Sequence, residues 1–215
     1  MKTFSVVTIF PELIEDYAKV ALLGRAQKKK LLAIKAVDLR NFARGRHAKI
    51  DDSPFGGGPG MVMQVEPIFR AVQKLKTKNS KLKTRVVLFS TRGKVFDQKA
   101  AHRLARYDHL IFIAGRYEGV DERVARYLAD EELSLGGFVL AGGELPALVV
   151  IEAVARHIPG VVGKRESLEE KKGSYPVYTR PATFTPKKSV QWNVPTVLQR
   201  GDHKKIAAWR RKHGR

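Results

Sequence analysis

The chain has 215 residues with no cysteine and a formal net charge of +20, from 41 Lys and Arg against 21 Asp and Glu. This length suits one domain of moderate size and an appendage, and the charge favours a polyanionic partner, most simply nucleic acid, over a merely solvated basic surface. The absence of cysteine excludes disulfides and cysteine-ligated zinc and is typical of a cytoplasmic protein, and no apolar run is long enough to cross a membrane.

The first part of the chain combines short strands with a basic loop. Residues 4–10 and 31–37 are predicted strands, and residues 12–20 are a predicted helix between them. Arg44 and Arg46 lie in a predicted loop of strong positive charge. A phosphate could meet several donors there, although a solvated loop is the simpler interpretation for either arginine alone.

A glycine-rich segment follows, DDSPFGGGPGM at residues 51–61, and it cannot form a helix or a regular strand. It is not a Walker phosphate loop, because no Gly-Lys-Ser/Thr follows, and the chain lacks the G-x-G-x-x-G fingerprint of nicotinamide and flavin sites. Its flat surface could lie against a planar base or another backbone, whereas a plain connecting loop is the alternative. The candidate substrate contacts here are Gly57, Gly58, Pro59 and Gly60.

Three apolar runs predict the strands at the centre of the fold. Residues 85–90, 109–115 and 134–143 are short and rich in β-branched or aromatic residues, and helical patterns over residues 97–107 and 121–129 separate them. This alternation predicts an α/β fold with a mostly parallel sheet and helices on both faces. Such sheets bind ligands at the carboxyl ends of their strands.

Glycines lie at or near the ends of these three strands. A missing Cβ lets the backbone approach a ligand closely, although any one of these glycines could equally serve to turn the chain. They are Gly115, Gly119, Gly136, Gly142 and Gly143.

The last part of the chain is more polar and more basic. Residues 144–160 are a predicted helix, on which Glu152 and Arg156 have the spacing of a surface ion pair. A polar stretch without periodicity then predicts a mobile linker, followed by an irregular, proline-rich strap. Asp202 is the predicted N-cap of a final basic helix. Residues 164–215 hold 14 Lys and Arg against four acids, so half of the excess charge lies there.

Six motifs in one order resemble a known family. They are FSVVTIFPEL, DDSPFGGGPGMVM, AGRYEGVDERV, LSLGGFVLAGGELPA, ARHIPGV and YTRP, and the resemblance that they carry covers about residues 4–212. This pattern closely resembles the bacterial tRNA (guanine-N1)-methyltransferases that act on guanosine 37, beside the anticodon. The resemblance implies a trefoil-knotted α/β domain, a homodimer, a tRNA partner, S-adenosylmethionine as methyl donor and Mg²⁺-assisted chemistry.

The resemblance also implies how the chain is divided. Residues 1–160 would form the knotted methyltransferase domain, residues 161–175 a mobile linker, and residues 176–215 a reduced C-terminal tRNA-binding segment. That last segment is cut to about one helix after YTRP. In the first knot loop, Thr91 replaces the proline that the family usually has.

The cofactor site that the resemblance implies is built from the three loops after the central strands. Backbone groups would bind the adenine edge, apolar side chains would pack on its faces, and Glu118 would lie near the methionine end, where a cation needs acidic company. The implied contacts are Leu88, Ser90, Gly115, Tyr117, Glu118, Gly119, Leu135, Gly136, Phe138, Leu140, Gly142, Gly143 and Pro146.

The implied chemistry needs a base and a fixed cation. Guanine N1 carries a proton at neutral pH, and negative charge grows on O6 as that proton leaves. Arg156 matches the family's catalytic arginine. The family's base is a linker aspartate, but Lys171 stands at that position and the linker has no aspartate. Glu169 and Glu170 are the nearest carboxylates and are therefore the candidate base.

Three alternatives remain open. A member of the same family could bind the cofactor but be slow or inactive, because the usual aspartate is missing. An RNA-binding module without chemistry would explain the charge but not the cofactor loops. A knotted methyltransferase acting on ribose hydroxyls would explain the loops but not DDSPFGGGPG or YTRP.

Overall fold

A computed structural model describes residues 1–45, 48–78, 80–163 and 173–214. The chain divides into two compact units, residues 1–162 and residues 163–215. We call the first the sheet unit and the second the basic unit. Within the described residues, no helix is both long enough and apolar enough to span a bilayer.

The sheet unit is built on one five-stranded parallel sheet, which confirms the predicted fold class. Two further short strands, β3 (Asp51–Asp52) and β4 (Val62–Met63), pair with each other outside it. In spatial order the strands of the main sheet are β2 (Leu32–Asp38), β1 (Lys2–Thr8), β6 (His109–Ile113), β5 (Thr84–Val95) and β7 (Glu131–Ser134).

Helices cover both faces of this sheet. Along β6, Leu110 and Phe112 belong to one buried cluster, whereas Ile111 and Ile113 belong to another. Strands that are buried on both faces have apolar runs without polar alternation, as the sequence has here. The first cluster includes residues of α1 (Pro11–Ala18), α2 (Ala21–Lys28), α4 (Gln98–Leu104) and α6 (Glu144–Ala155), and the second those of α3 (Val65–Lys78) and α5 (Glu122–Tyr127).

The third predicted strand was wrong. The strand β7 covers Glu131–Ser134, and residues 135–143 form a loop. Glycines interrupt this apolar run, and the side chains of Phe138 and Val139 are 55% and 83% exposed. The run therefore forms an exposed loop rather than a buried strand. Strand β5 is longer than predicted, because its pairing with β7 resumes at Lys94 after a register shift.

The helix predictions needed correction. Helix α2 was not predicted at all, and α6, which was predicted over residues 144–160, ends at Ala155. Helix α1, which was predicted over residues 12–20, covers Pro11–Ala18, so Pro11 is its first residue. Proline suits that position because the first helical N–H has no partner in the helix.

The basic unit is small and open. It contains an antiparallel hairpin, β8 (Thr183–Lys187) and β9 (Val190–Asn193), then a short helix Thr196–Gln199 and a terminal helix His203–His213. The hairpin corrects the expected irregular strap. The predicted cap is confirmed, because Asp202 accepts a hydrogen bond from Lys205 N at 3.0 Å. The trefoil knot stays a prediction from the resemblance.

Candidate functional site

A pocket of about 590 Å³ opens at the carboxyl ends of β5, β6 and β7. Twelve of the thirteen predicted cofactor contacts line it, which brings three segments distant in sequence together. Gly136 is the exception, because it packs behind Phe138, whose ring carbon lies 3.0 Å from the place of a Cβ at Gly136. The twelve are Leu88, Ser90, Gly115, Tyr117, Glu118, Gly119, Leu135, Phe138, Leu140, Gly142, Gly143 and Pro146.

Two of the pocket glycines are needed because loops pack against each other. A Cβ on Gly143 would lie 2.6 Å from Ala114 Cα, and Gly143 N donates to Gly115 O at 2.9 Å. A Cβ on Gly142 would lie 2.2 Å from Arg116 Nε. These glycines therefore hold the loop after β6 against the start of α6, and they shape the pocket wall.

A buried ion pair lies beside this contact. Glu144 is 1% exposed, and its two carboxylate oxygens accept from Thr8 Oγ1 at 2.7 Å and from Arg116 Nε at 2.9 Å. The Arg116 guanidinium lies over the Phe10 ring, 4.5 Å from its centre. Sequence reasoning missed this network. The available signal was Glu144, a carboxylate in the first turn of a helix whose only other charged residue is Glu152.

Three glutamates and two arginines, Arg92 and Arg116, line the pocket, and Arg92 pairs with Glu122 at 2.7 Å. Glu118, Glu122 and Glu132 all line it, and the latter two were not predicted. Glu132 Oε2 is buried and has no hydrogen-bond partner among the described residues. A hydrogen bond from Arg92 lowers the pKa of Glu122, which keeps that carboxylate ionised. A buried acceptor without a partner is rare, so Glu132 indicates a donor supplied by a ligand.

The glycine-rich loop is joined to the pocket through its backbone. Glu118 N donates to Met61 O at 3.1 Å, and Met63 N donates to Gly119 O at 2.9 Å. A Cβ on Gly60 would lie 2.6 Å from the Glu118 carboxylate. The predicted substrate contacts on this loop therefore lie at the edge of the predicted cofactor site.

One residue of that loop was missed by sequence reasoning. The side chain of Phe55 is fully exposed, at 102%, beside the exposed Gly57 and Gly58. An aromatic ring without protein contacts is available to stack on another planar group. Its signal was the single aromatic residue within a run of glycines and prolines.

The predicted arginines differ in their surroundings. Arg44 is largely exposed, with its side chain 78% accessible, and lies 3.4 Å from Glu66. Arg156 is exposed directly after α6. The alternative ion pair of Arg156 with Glu152 does not form. Glu152 instead accepts from Tyr17 Oη at 3.3 Å, and Arg156 has no carboxylate partner within the described ranges.

Arg156 is not among the residues that line the pocket. It follows Pro146 by ten residues, which is about 15 Å along a helix. Three other predicted site residues, Arg46, Glu169 and Glu170, lie outside the described residues. The structure therefore assembles twelve of the predicted cofactor contacts and places Arg156, the one predicted catalytic residue that it describes, outside them.

The described residues contain no group of three or more His, Asp or Glu that could hold a metal ion. The implied Mg²⁺ thus has no protein-built site in this part of the chain, and it stays an expectation from the resemblance.

Comparison with known proteins gives consistent matches. A family model described as tRNA (Guanine-1)-methyltransferase TrmD matches residues 1–215. The chain is 46% identical to a protein of Dictyoglomus turgidum, over 99% of this chain and 84% of the relative. It is 45% identical to one of Moorella thermoacetica and 48% to one of Myxococcus xanthus, each over 96% of this chain and 83% of the relative. All three relatives are named tRNA (guanine-N(1)-)-methyltransferase.

Proposed function

Since the chain belongs to the tRNA (guanine-N1)-methyltransferase family, we propose that it transfers a methyl group from S-adenosylmethionine to N1 of guanosine 37 in tRNA. The observation that carries this proposal is the pocket at the carboxyl ends of β5, β6 and β7, which collects twelve of the contacts implied by the resemblance. A tRNA-modifying enzyme would act in the cytoplasm.

The residues of the pocket fit S-adenosylmethionine. A volume of about 590 Å³ lies within the usual range for a small-molecule site. Leu135, Leu140 and Pro146 offer apolar contacts for the adenine faces, and Glu132 Oε2 offers an acceptor that no described residue uses. Glu118 would balance the positive charge at the methionine end. The bound cofactor would supply a methyl group activated by its sulfonium.

The chain's own residues would do the remaining chemistry. Arg156 would stabilise the negative charge that grows on guanine O6, and Glu169 or Glu170 would accept the proton from N1. Glutamate is one methylene longer than aspartate, so it has the reach to replace the family's base from a neighbouring position. The glycine-rich loop would hold the target base and its neighbour, and Phe55 would stack on an unpaired base.

We propose that the active site is shared between two copies of the chain. Arg156 is about 15 Å along α6 from Pro146 and outside the pocket. On α1 and α6, Leu13, Leu145 and Val149 are 46%, 60% and 48% exposed, which is unusual for a contiguous helix surface that no partner covers. A second copy that covers this surface would bring its own Arg156 and linker towards the pocket.

Mass spectrometry of tRNA after incubation with S-adenosylmethionine tests the proposed reaction. A transcript with guanosine 37 should gain one methyl group at guanine N1, and a transcript with adenosine 37 should gain none. A ribose methyl group would instead favour the hydroxyl-methylating alternative. Binding of the cofactor without any methylated product would favour the slow or inactive variant.

Mixing two inactive variants tests the shared site. Gly142→Val should block the pocket, Arg156→Ala should remove the guanidinium, and melting curves should first show that both variants fold. After subunit exchange, half of the dimers are mixed, and each would have one intact site. About one quarter of the wild-type activity should therefore return, and no return of activity would contradict a shared site.

A further inference from the structure

The edge of the sheet opposite the pocket is strongly basic. It is formed by the amino ends of the strands, about 20 Å from the carboxyl ends along the seven residues of β1. Exposed cations precede three of its strands, and we call these residues the basic edge. They are Lys28, Lys29 and Lys30 before β2, Lys81 and Lys83 before β5, and Arg106 before β6.

Contacts around Tyr107 bring these connections together. Lys2 donates from Nζ to Tyr107 O, and Lys83 Nζ lies over the Tyr107 ring, 4.9 Å from its centre. Lys2 N also donates to Leu31 O at 3.3 Å, next to Lys30. The cations before β2 and those before β5 therefore belong to one surface, three strand spacings or about 14 Å wide.

The acids at this edge accept hydrogen bonds from the backbone or pair with arginines, although Asp108 and Asp130 are exposed. Asp108 accepts from Lys83 N at 3.0 Å, and Asp130 accepts from Val86 N at 2.7 Å. Glu131 pairs with two arginines, Arg85 at 3.0 Å and Arg103 at 2.6 Å. In the described part of the chain, none of the lysines of the basic edge forms an ion pair with a carboxylate. The six cations of the basic edge therefore outnumber the exposed carboxylates beside them, Asp108 and Asp130, and the edge keeps a net positive charge.

Helix dipoles explain only part of this pattern. Lysine is favourable in the last turn of a helix, which accounts for Lys28 at the end of α2. Lys30, Lys81 and Lys83 lie outside helices and have no such role. A concentration of unpaired lysines in connections that need only turn the chain indicates a polyanionic partner.

We propose that the basic edge binds the phosphate backbone of RNA, as a second contact remote from the pocket. Over about 14 Å a duplex presents on the order of eight phosphate charges, which is ample for these lysines. The described part of the edge exposes two large apolar side chains, Met1 and Leu82, too few for insertion into a lipid surface. The inference rests on the proposed function only in taking tRNA as the natural RNA.

Removing the charge while keeping most of the side-chain length tests the proposal. The variant replaces five lysines by glutamine, and a matched control replaces the same five by arginine. Binding of full-length tRNA and of a 24-base-pair duplex RNA is measured by fluorescence anisotropy from 50 to 300 mM salt. The positions are Lys28, Lys29, Lys30, Lys81 and Lys83.

In the glutamine variant, the slope of log affinity against log salt concentration should be less steep by about 2 to 3. Its affinity for RNA at 50 mM salt should be at least about tenfold weaker. The arginine variant should keep the wild-type slope. The methylation rate at saturating tRNA should be unchanged in both, because these lysines do not line the pocket.

Unchanged slopes for both RNAs in the glutamine variant would overturn the inference. Loss of binding to vesicles of anionic lipid, with RNA binding intact, would overturn it in favour of a membrane surface. If the wild-type protein methylates no tRNA, but the glutamine substitutions still make the salt dependence of duplex RNA binding less steep, the proposed function fails and this inference stands.

Discussion

The sheet unit and the basic unit are stabilised in different ways. The sheet unit encloses two buried apolar clusters, one on each face of its sheet. Within residues 173–214 of the basic unit, no residue is buried, and nine Lys and Arg stand against one acid. Its side chains meet mainly through exposed rings, such as Phe184 and Trp192 at 5.6 Å and Trp209 and Tyr178 at 6.3 Å.

This difference separates two physical requirements. A cofactor pocket must hold several groups to within a fraction of an ångström, and only side chains locked by a packed core do so. Phosphate contacts need positive charge more than exact geometry, and they position the nucleic acid without reading its sequence. The sheet unit has the packed core that the first requirement needs and carries the basic edge on its surface, whereas the basic unit meets only the second requirement, so we expect changes in the two units to have different consequences.

The prediction with the largest expected effect would contradict this difference between the units, because it assigns the catalytic base to the basic unit. Glu169→Gln with Glu170→Gln should lower the single-turnover rate of methylation about 10²- to 10⁴-fold, as loss of a general base does. Cofactor binding, measured by calorimetry, should stay unchanged because the pocket lies in the sheet unit. A near wild-type rate in the double variant would mean that neither glutamate is the base.

Breaking one ion pair in each unit sharpens the comparison. Arg116→Met leaves the buried Glu144 carboxylate without its cation and should lower the free energy of unfolding by about 3–5 kcal/mol. The matched change, Lys205→Met, breaks an exposed pair with Asp202 and should have no measurable effect. Urea titrations followed by circular dichroism measure both, and equal losses would contradict the comparison.

Acid should destabilise the sheet unit through a buried histidine. Burial lowers the pKa of His109 to about 4, with a smaller effect of Lys35. In the unfolded chain this imidazole takes up its proton near pH 6.5, so the free energy of unfolding should fall between about pH 6.5 and 4, by up to about 3 kcal/mol. The hydroxyl oxygen of Ser5 lies within hydrogen-bond distance of His109, 2.9 Å from its Nε2.

The control for this effect replaces the pair together. Ser5→Ala with His109→Val removes the titrating group without leaving a buried hydroxyl unpaired, and it should flatten the pH dependence over that window. The same acid sensitivity in the double variant would exclude His109 as its source.

The smallest expected effect concerns the terminal helix. Deleting residues 203–215 removes six Lys and Arg. The slope of log affinity for tRNA against log salt concentration should become less steep by roughly 3, and all tRNAs should bind more weakly to the same degree. The unfolding midpoint of the sheet unit should not change. An unchanged salt slope would mean that this helix packs rather than binds RNA.

The sequence alone determined the class of the fold, and the resemblance carried by its motifs implied the candidate cofactor contacts, twelve of which line one pocket. Short apolar runs predicted β1, β5 and β6, because strands buried on both faces need such runs. The edge strand β2 was also predicted from an apolar run, although most of its residues are only partly buried. The predicted N-cap at Asp202 depended only on local hydrogen bonding. The loops after the strands could be found because parallel strands end at one edge, so glycines distant in sequence were expected near one another.

Only the tertiary structure decided how apolar runs and charges are used. The run at 134–143 has the composition of a strand, yet its side chains form an exposed wall of the pocket, because neighbouring loops rather than hydrogen-bonded strands surround it. Glu152 has the right spacing for Arg156 but bonds to Tyr17 from another helix. Likewise, the lysines of the basic edge become one surface only when the sheet aligns the amino ends of its strands. A contact between distant segments leaves no local pattern, so composition and spacing could not reveal it.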